Sequence, residues 1–228
     1  MFPLRDINPT RTRPYVNWAL IVLNSLFFLY ELSLGQGLEP FLRTFAFVPA
    51  RLFDAGDVSG SLVTALLSLF LHGGWAHVIG NMVFLWVFGD NVEDRLGHGR
   101  YILFYLLSGL AATLGHALAE PHSVMPAIGA SGAISGVLGA YVFMFPRARV
   151  VTAVVLVIFV RIVELPALVY LPLWFVMQLF SGIAAVSTHE ASAGGVAWFA
   201  HIGGFIAGPI LALLLGGFRA RPRPASYA

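Results

Sequence analysis

Long apolar stretches, separated by short polar segments, run through most of the chain. A helix that crosses a bilayer needs about 20 mostly apolar residues, and six stretches come close to that length. They cover residues 15–34, 75–89, 101–119, 131–145, 165–183 and 196–217. This pattern predicts an all-α fold, in which a polytopic membrane protein is built as a bundle of six transmembrane helices.

Two further apolar runs do not fit this pattern. Residues 62–71 are too few to span a bilayer, and we expect them to lie on or in the membrane interface. Residues 150–160 are apolar and rich in β-branched side chains, and Arg161, Glu164 and Pro166 separate them from the next stretch. We expect an interfacial or re-entrant approach to the fifth helix, with Arg161 and Glu164 paired. The alternative is a seventh span, which would move the C-terminus to the other side of the membrane.

The composition supports a membrane protein and excludes several other classes. Hydrophobic residues make up 58% of the chain and charged residues 11%, whereas soluble domains have about 45–50% and about 25%. The mean hydropathy is +0.83. All 13 basic residues are arginines scattered at the ends of apolar stretches, so no basic stripe for nucleic acid is present. The chain has no cysteine, which excludes disulfides, thiolate metal sites and a cysteine nucleophile.

The arginines also predict the orientation. With six spans and a cytoplasmic N-terminus, eleven arginines fall on the inner side, and only Arg43 and Arg51 fall outside, as the positive-inside rule requires. We therefore expect both termini in the cytoplasm and an ordered, interfacial first outer loop at about residues 35–74. The predicted parts are a cytoplasmic tail at 1–14, a membrane domain at 15–217 and a cytoplasmic Arg/Pro-rich tail at 218–228.

Polar residues inside membrane segments are costly and therefore indicate function. His77 and Asn81 are four residues apart, on one face of the second predicted helix. Ser131 opens the fourth helix and His201 lies near the start of the sixth. At a rise of about 1.5 Å per residue, His77, Ser131 and His201 lie about 20–25 Å from the cytoplasmic ends of their helices. In a hydrocarbon core about 30 Å thick, they share one level somewhat below the outer surface.

Small residues favour a meeting of these helices. Gly132 and Gly136 on the fourth helix, and Gly204 and Gly208 on the sixth, form small-x3-small faces that let backbones approach closely. If the helices pack through these faces, Ser131 and His201 become neighbours.

A serine hydroxyl beside an imidazole is the minimum for an activated nucleophile with a general base. No aspartate lies within a span at this depth, which favours a dyad over a triad. His77, Asn81 and the backbone N–H of Ser131 could stabilise a developing oxyanion.

These motifs together resemble the rhomboid family of intramembrane serine proteases. They are Gly129-x-Ser131-Gly132 at a helix start, His77-x3-Asn81 upstream and His201-x2-Gly204-x3-Gly208 downstream. The segment at 92–97 is similar to the family's cytoplasmic loop after the second helix. The resemblance covers residues 15–217 and implies Ser131 as nucleophile, His201 as base, and His77 and Asn81 as oxyanion stabilisers.

The resemblance also implies the substrates and the location. Rhomboids cleave single-pass transmembrane proteins near the outer membrane face and need no metal or cofactor. Substrates are expected beside the second and fifth helices, here at the aromatic residues 173–180, with the loop 191–195 above them. A multi-pass protein of a bacterial plasma membrane is expected, and the oligomeric state stays open.

The chain departs from the family in two places. Many rhomboids carry an aromatic residue one turn after the nucleophile, stacked on the catalytic histidine, where this chain has Ser135. Other packing is then expected to hold His201. The Trp-Arg pair often seen in the first outer loop is also missing.

Other interpretations remain for these residues. Ser131 could serve only in helix packing, and His77 and Asn81 could hydrogen-bond between helices. His72 is expected to be a structural hydrogen-bonder and His116 a packed, satisfied residue. A catalytically silent rhomboid-like protein that binds clients is the alternative function. A small transporter is less favoured, because no inverted repeat is visible.

Overall fold

One described helix corresponds to each of the six apolar stretches, and the other described elements are shorter. The computed structural model describes residues 1–156, 159–187 and 197–218. In chain order the helices are α1 Tyr15–Ser33, α2 Leu38–Phe45, α3 Pro49–Phe53, α4 Val58–Ser68, α5 Trp75–Leu96, α6 His98–Ala119, α7 Ser131–Met144, α8 Ala167–Ser187 and α9 Trp198–Leu214. The strands are β1 Phe2–Ile7, β2 Arg149–Leu156 and β3 Phe159–Pro166.

The described helices differ in their capacity to cross a bilayer. By length and composition alone, α1 and α6 could each span a membrane, and α4, α7, α9 and the first part of α8 are apolar but shorter. Most of these helices begin and end close to the predicted positions, although α5 continues seven residues beyond its predicted end. The six-span topology stays a prediction.

A three-stranded sheet corrects the all-α prediction. The strands lie in the order β1-β2-β3 and pair antiparallel. Residues 150–156 form most of β2, and residues 159 and 160 begin β3, so the described part of this run is not a seventh spanning helix. The physical reason is the run of β-branched side chains, which pack well on a pleated surface. The N-terminal segment, predicted as a tail, supplies β1.

The predicted pair of Arg161 with Glu164 is also wrong. Residues three apart on a strand point to opposite faces. Glu164 instead lies near Arg149 on β2, with 3.8 Å between its Oε2 atom and the arginine Nη1 atom.

Asp6 attaches the sheet to the helix bundle. Its carboxylate accepts hydrogen bonds from the Tyr141 hydroxyl on α7 and from the Asn91 side-chain amide on α5, the latter at 3.0 Å. Burial, with nearby Asp90, raises the pKa of Asp6 to about 6. Since Asn91 and Tyr141 lie toward the C-terminal ends of their helices, the sheet lies at that end of the bundle.

The C-terminal end of α5 also holds the start of α1. Glu93 is fully buried and accepts hydrogen bonds from the backbone N–H groups of Val16 and Asn17, at 3.0 and 2.7 Å. Asp94 accepts from Thr12. Carboxylates at a helix N-terminus satisfy free N–H groups and complement the helix dipole.

Helix α7 lies at the centre of the core. Residues 132–142 are all buried, and α7 packs against α5, α6 and α9. Its glycines bring it into backbone contact with α9. A Cβ on Gly204 would overlap the Gly132 carbonyl oxygen, and one on Gly208 would overlap that of Gly136. This packing aligns the first turns of α7 and α9.

The segment between α1 and α5 is built from short helices. It contains a 3-10 turn at Gly35–Gly37 followed by α2, α3 and α4. The Asp57 carboxylate caps α4 by accepting from the Gly60 N–H at 2.9 Å. Phe47 forms an isolated β-bridge with Ala127, which joins this segment to the connection before α7.

Candidate active site

The four predicted site residues line one cavity. Its volume is about 830 Å³, and its lining includes Ser131, His201, His77 and Asn81. All four lie in the first two turns of α5, α7 and α9. The cavity therefore lies at the end of the bundle opposite the sheet.

Gly129 shapes the approach to Ser131. Its φ of +123° is a conformation that favours glycine, and its N–H donates to the Ser68 carbonyl at 2.8 Å. A Cβ at this position would lie 2.6 Å from the His77 Nε2 atom and 3.4 Å from the Ser131 Oγ atom. Only glycine leaves room here for the imidazole of His77 beside the serine hydroxyl.

His201 lies on the turn of α9 that abuts the start of α7. A Cβ on Gly132, the neighbour of Ser131, would lie 3.8 Å from the Cβ of Ala200, the neighbour of His201. The His201 side chain is buried. The small-residue packing predicted from the sequence therefore brings the serine and histidine turns together.

Two indole rings pack around His201. Trp174 on α8 has its ring centroid 6.1 Å from the imidazole at an interplanar angle of 35°, and Trp198 lies edge-on at 5.9 Å and 90°. The Ser135 hydroxyl donates to the Ser131 carbonyl at 2.7 Å. Trp174 and Trp198 thus supply the packing that the sequence predicted without naming its source.

One ring nitrogen of His77 accepts a hydrogen bond from the backbone. The Gly73 N–H donates to its Nδ1 atom at 3.4 Å. A neutral imidazole that accepts at Nδ1 carries its proton on Nε2. His77 can therefore donate from the nitrogen that lies beside Gly129.

Sequence reasoning missed the role of two residues at this site. Trp198 lies three residues before His201, and this helical spacing could have indicated a shared face. Trp174 was included only in a broad aromatic stretch. The predicted loop at 191–195 lies outside the described residues.

His116 partly contradicts its prediction. It is buried and lines the cavity, but its Nδ1 atom has no hydrogen-bond partner among the described residues. The packed part of the prediction holds, and the described residues supply no hydrogen-bond partner for Nδ1.

The cavity combines a hydroxyl, a buried imidazole and side-chain donors. Within the described ranges, no group of three His, Cys, Asp or Glu residues is placed to hold a metal ion. A hydroxyl and imidazole in this setting can perform nucleophilic attack with general-base assistance, and His77 and Asn81 can supply electrostatic stabilisation.

Several known proteins are similar in sequence to this chain. The Rhomboid domain model matches residues 59–218. The chain is 31% identical over 205 residues to Rhomboid protease GluP of Bacillus subtilis, which covers 90% of this chain and 35% of that protein. It is 33% identical over 92 residues to the putative rhomboid protease YdcA of the same organism, covering 40% and 46%. Rhomboid-like protein 11, chloroplastic, of Arabidopsis thaliana is 27% identical over 201 residues, covering 86% and 66%.

The chain spans between about a third and a half of the length of the two Bacillus relatives that it matches.

Proposed function

We propose, since this chain belongs to the rhomboid family of integral membrane proteins, that it is an intramembrane serine endopeptidase that cleaves single-pass transmembrane proteins. The observation that carries the proposal is the meeting of the Ser131 and His201 turns at one cavity. Some relatives are named as proteases and others as rhomboid-like. The proposed activity therefore rests on this chain's own residues and not on the names of its relatives.

The proposed mechanism has two steps. The Ser131 Oγ atom attacks the scissile carbonyl while His201 accepts the hydroxyl proton. The same imidazole then protonates the leaving amine. Water hydrolyses the resulting acyl-enzyme. His77, Asn81 and the Ser131 N–H stabilise the oxyanion in both steps, and the loss of one such donor typically costs about 2.7–4 kcal/mol.

The membrane arrangement is part of the proposal. Six spans with both termini in the cytoplasm put the cavity near the outer face of a bacterial plasma membrane. The sheet then lies on the cytoplasmic side. A substrate helix must unwind locally before attack, because its carbonyls are otherwise held in its own hydrogen bonds.

The experiment that tests the function uses the purified protein in liposomes. A fluorophosphonate probe should label Ser131, located by mass spectrometry, and a model single-pass substrate should be cleaved. The matched control is Ser135→Ala, which removes a buried serine one turn away and should retain both signals. Folded protein that shows neither labelling nor cleavage would contradict the proposal and favour a client-binding role.

The packing of Trp174 on His201 leads to a separate prediction. Trp174 also contacts Phe84 on α5, at a centroid distance of 6.0 Å, so it joins α5, α8 and the proposed base. Trp174→Ala should lower kcat by about 10- to 100-fold, because a small misplacement of a catalytic group has effects of that size. The measurement is kcat and KM for the model substrate in liposomes.

Phe84→Ala is the control for this prediction. It removes the same contact between α5 and α8 but no ring beside His201, and should leave kcat near the wild-type value. Equal losses of kcat in the two variants would show that Trp174 acts only through the contact between helices.

A further inference from the structure

His72 belongs to none of the motifs that define the site. It lies between α4 and α5 and is 1% exposed. Its Nε2 atom is 3.0 Å from the side-chain nitrogen of Asn81. A residue that the sequence suggested to be structural therefore contacts one of the proposed oxyanion stabilisers directly.

The second ring nitrogen of His72 determines the direction of this hydrogen bond. Nδ1 lies 3.3 Å from the Phe70 carbonyl oxygen, which can only accept. A neutral ring then carries its proton on Nδ1, and its Nε2 lone pair accepts from the Asn81 amide. Burial, with the nearby His77, lowers the pKa of His72 to about 4, so the ring is neutral at neutral pH.

The position of His72 is itself held by α1. The His72 backbone N–H lies 3.2 and 3.1 Å from the two carboxylate oxygens of Glu31, a residue that is 1% exposed. The imidazole also packs edge-on against His77, at a centroid distance of 5.1 Å. One ring thus contacts both side chains proposed to stabilise the oxyanion.

We propose that His72 is a positioning residue for Asn81. By accepting one N–H of the Asn81 amide, it orients the amide group and keeps the second N–H on the same nitrogen available to the oxyanion. This role rests on the proposed protease function. It explains why an imidazole with a free acceptor nitrogen is buried at this point.

The test is a double-mutant cycle in the full-length protein in liposomes, with His72→Ala, Asn81→Ala and the double variant. His72→Ala should lower kcat for the model substrate by about 10-fold with little change in KM, because only a transition-state contact is weakened. In the Asn81→Ala background, the same change should have no further effect. The same loss of kcat in both backgrounds would overturn the proposal.

Two additional measurements separate positioning from folding. His72→Gln should restore most of the lost kcat, since its side-chain oxygen can accept the Asn81 N–H. If His72→Gln is as impaired as His72→Ala while both unfold at the wild-type temperature, the acceptor role is contradicted.

A measurement without catalysis tests the contact itself. In ¹⁵N NMR spectra of the histidine rings, the Nε2 resonance of His72 should shift when Asn81 is replaced by alanine. An unchanged Nε2 resonance in Asn81→Ala would overturn the proposal. If the wild type shows this contact but neither labels Ser131 nor cleaves substrate, the proposed function fails and the positioning role fails with it. If the protein cleaves substrate but His72→Ala causes the same loss of kcat with and without Asn81→Ala, only the inference about His72 is contradicted.

Discussion

Alanine in place of Ser131 is expected to lower kcat by about 10⁴- to 10⁶-fold, and His201→Ala by a similar factor, because nucleophile and base act as one unit. The Ser131→Ala, His201→Ala double variant should be no slower than either single variant. Cavity lining and helix packing do not require a hydroxyl at position 131, so the Ser131→Ala protein should unfold at the wild-type temperature.

The measurement is single-turnover cleavage of the model substrate, with fluorophosphonate labelling in parallel. Ser135→Ala provides the comparison, because this serine is buried on the same helix and bonds to the Ser131 carbonyl. If the double variant loses more kcat than either single variant, as the sum of two separate effects on the activation free energy, the two residues do not act together. Residual labelling in Ser131→Ala would identify a different nucleophile.

The second large effect is expected at the interface of α7 and α9. Gly208→Ala should lower the free energy of unfolding by about 3 kcal/mol, the upper end for overpacking of a close-packed interior. The added Cβ would overlap the Gly136 carbonyl oxygen and lie 2.8 Å from the Gly136 Cα atom. Backbone atoms cannot rotate away as a side chain can, so the two helices must separate.

Separation of these helices should also reduce activity, because Ser131 and His201 lie on opposite sides of the interface. The measurements are the thermal unfolding midpoint in detergent and the cleavage rate at a temperature where the variant is folded. Gly203→Ala is the matched control on the same helix. Its Cβ would meet atoms no closer than 3.4 Å, an ordinary contact, so both quantities should stay near wild type.

An unchanged midpoint in Gly208→Ala would show that the α7–α9 interface tolerates an added methyl group. The proposed close approach of the two backbones would then be wrong in solution.

Much of the helical architecture could be predicted from local sequence. A helix in a membrane satisfies its own backbone, so a sufficiently long apolar stretch is enough to indicate one. The predicted stretch at 101–119 corresponds to α6, and that at 131–145 to α7. The end of α5 was placed seven residues early, because Asp90, Glu93 and Asp94 look like a loop in the sequence. The structure shows that Glu93 accepts hydrogen bonds from the start of α1 and that Asp94 accepts from Thr12.

The sheet could not be predicted in the same way. Residues 150–160 are apolar enough for a membrane segment, and the strand conformation of 150–156 depends on pairing with residues distant in sequence. Phe2 pairs with Ala153, and Arg149 pairs with Pro166. Backbone hydrogen bonds between these strands join residues that are distant in sequence, and no local pattern in the first fourteen residues indicated them.

The same distinction between local sequence and long-range contacts applies to the candidate site. The chemical groups of the site were already evident from the amino-acid sequence, because a serine, two histidines and an asparagine inside apolar helices are costly unless they serve a function. The rings that pack on His201, and the ring nitrogen that lies within hydrogen-bonding distance of the Asn81 amide, became visible only in the folded chain. Those contacts join α5 to the segment before it and α8 to α9, and such contacts depend on how helices pack in three dimensions.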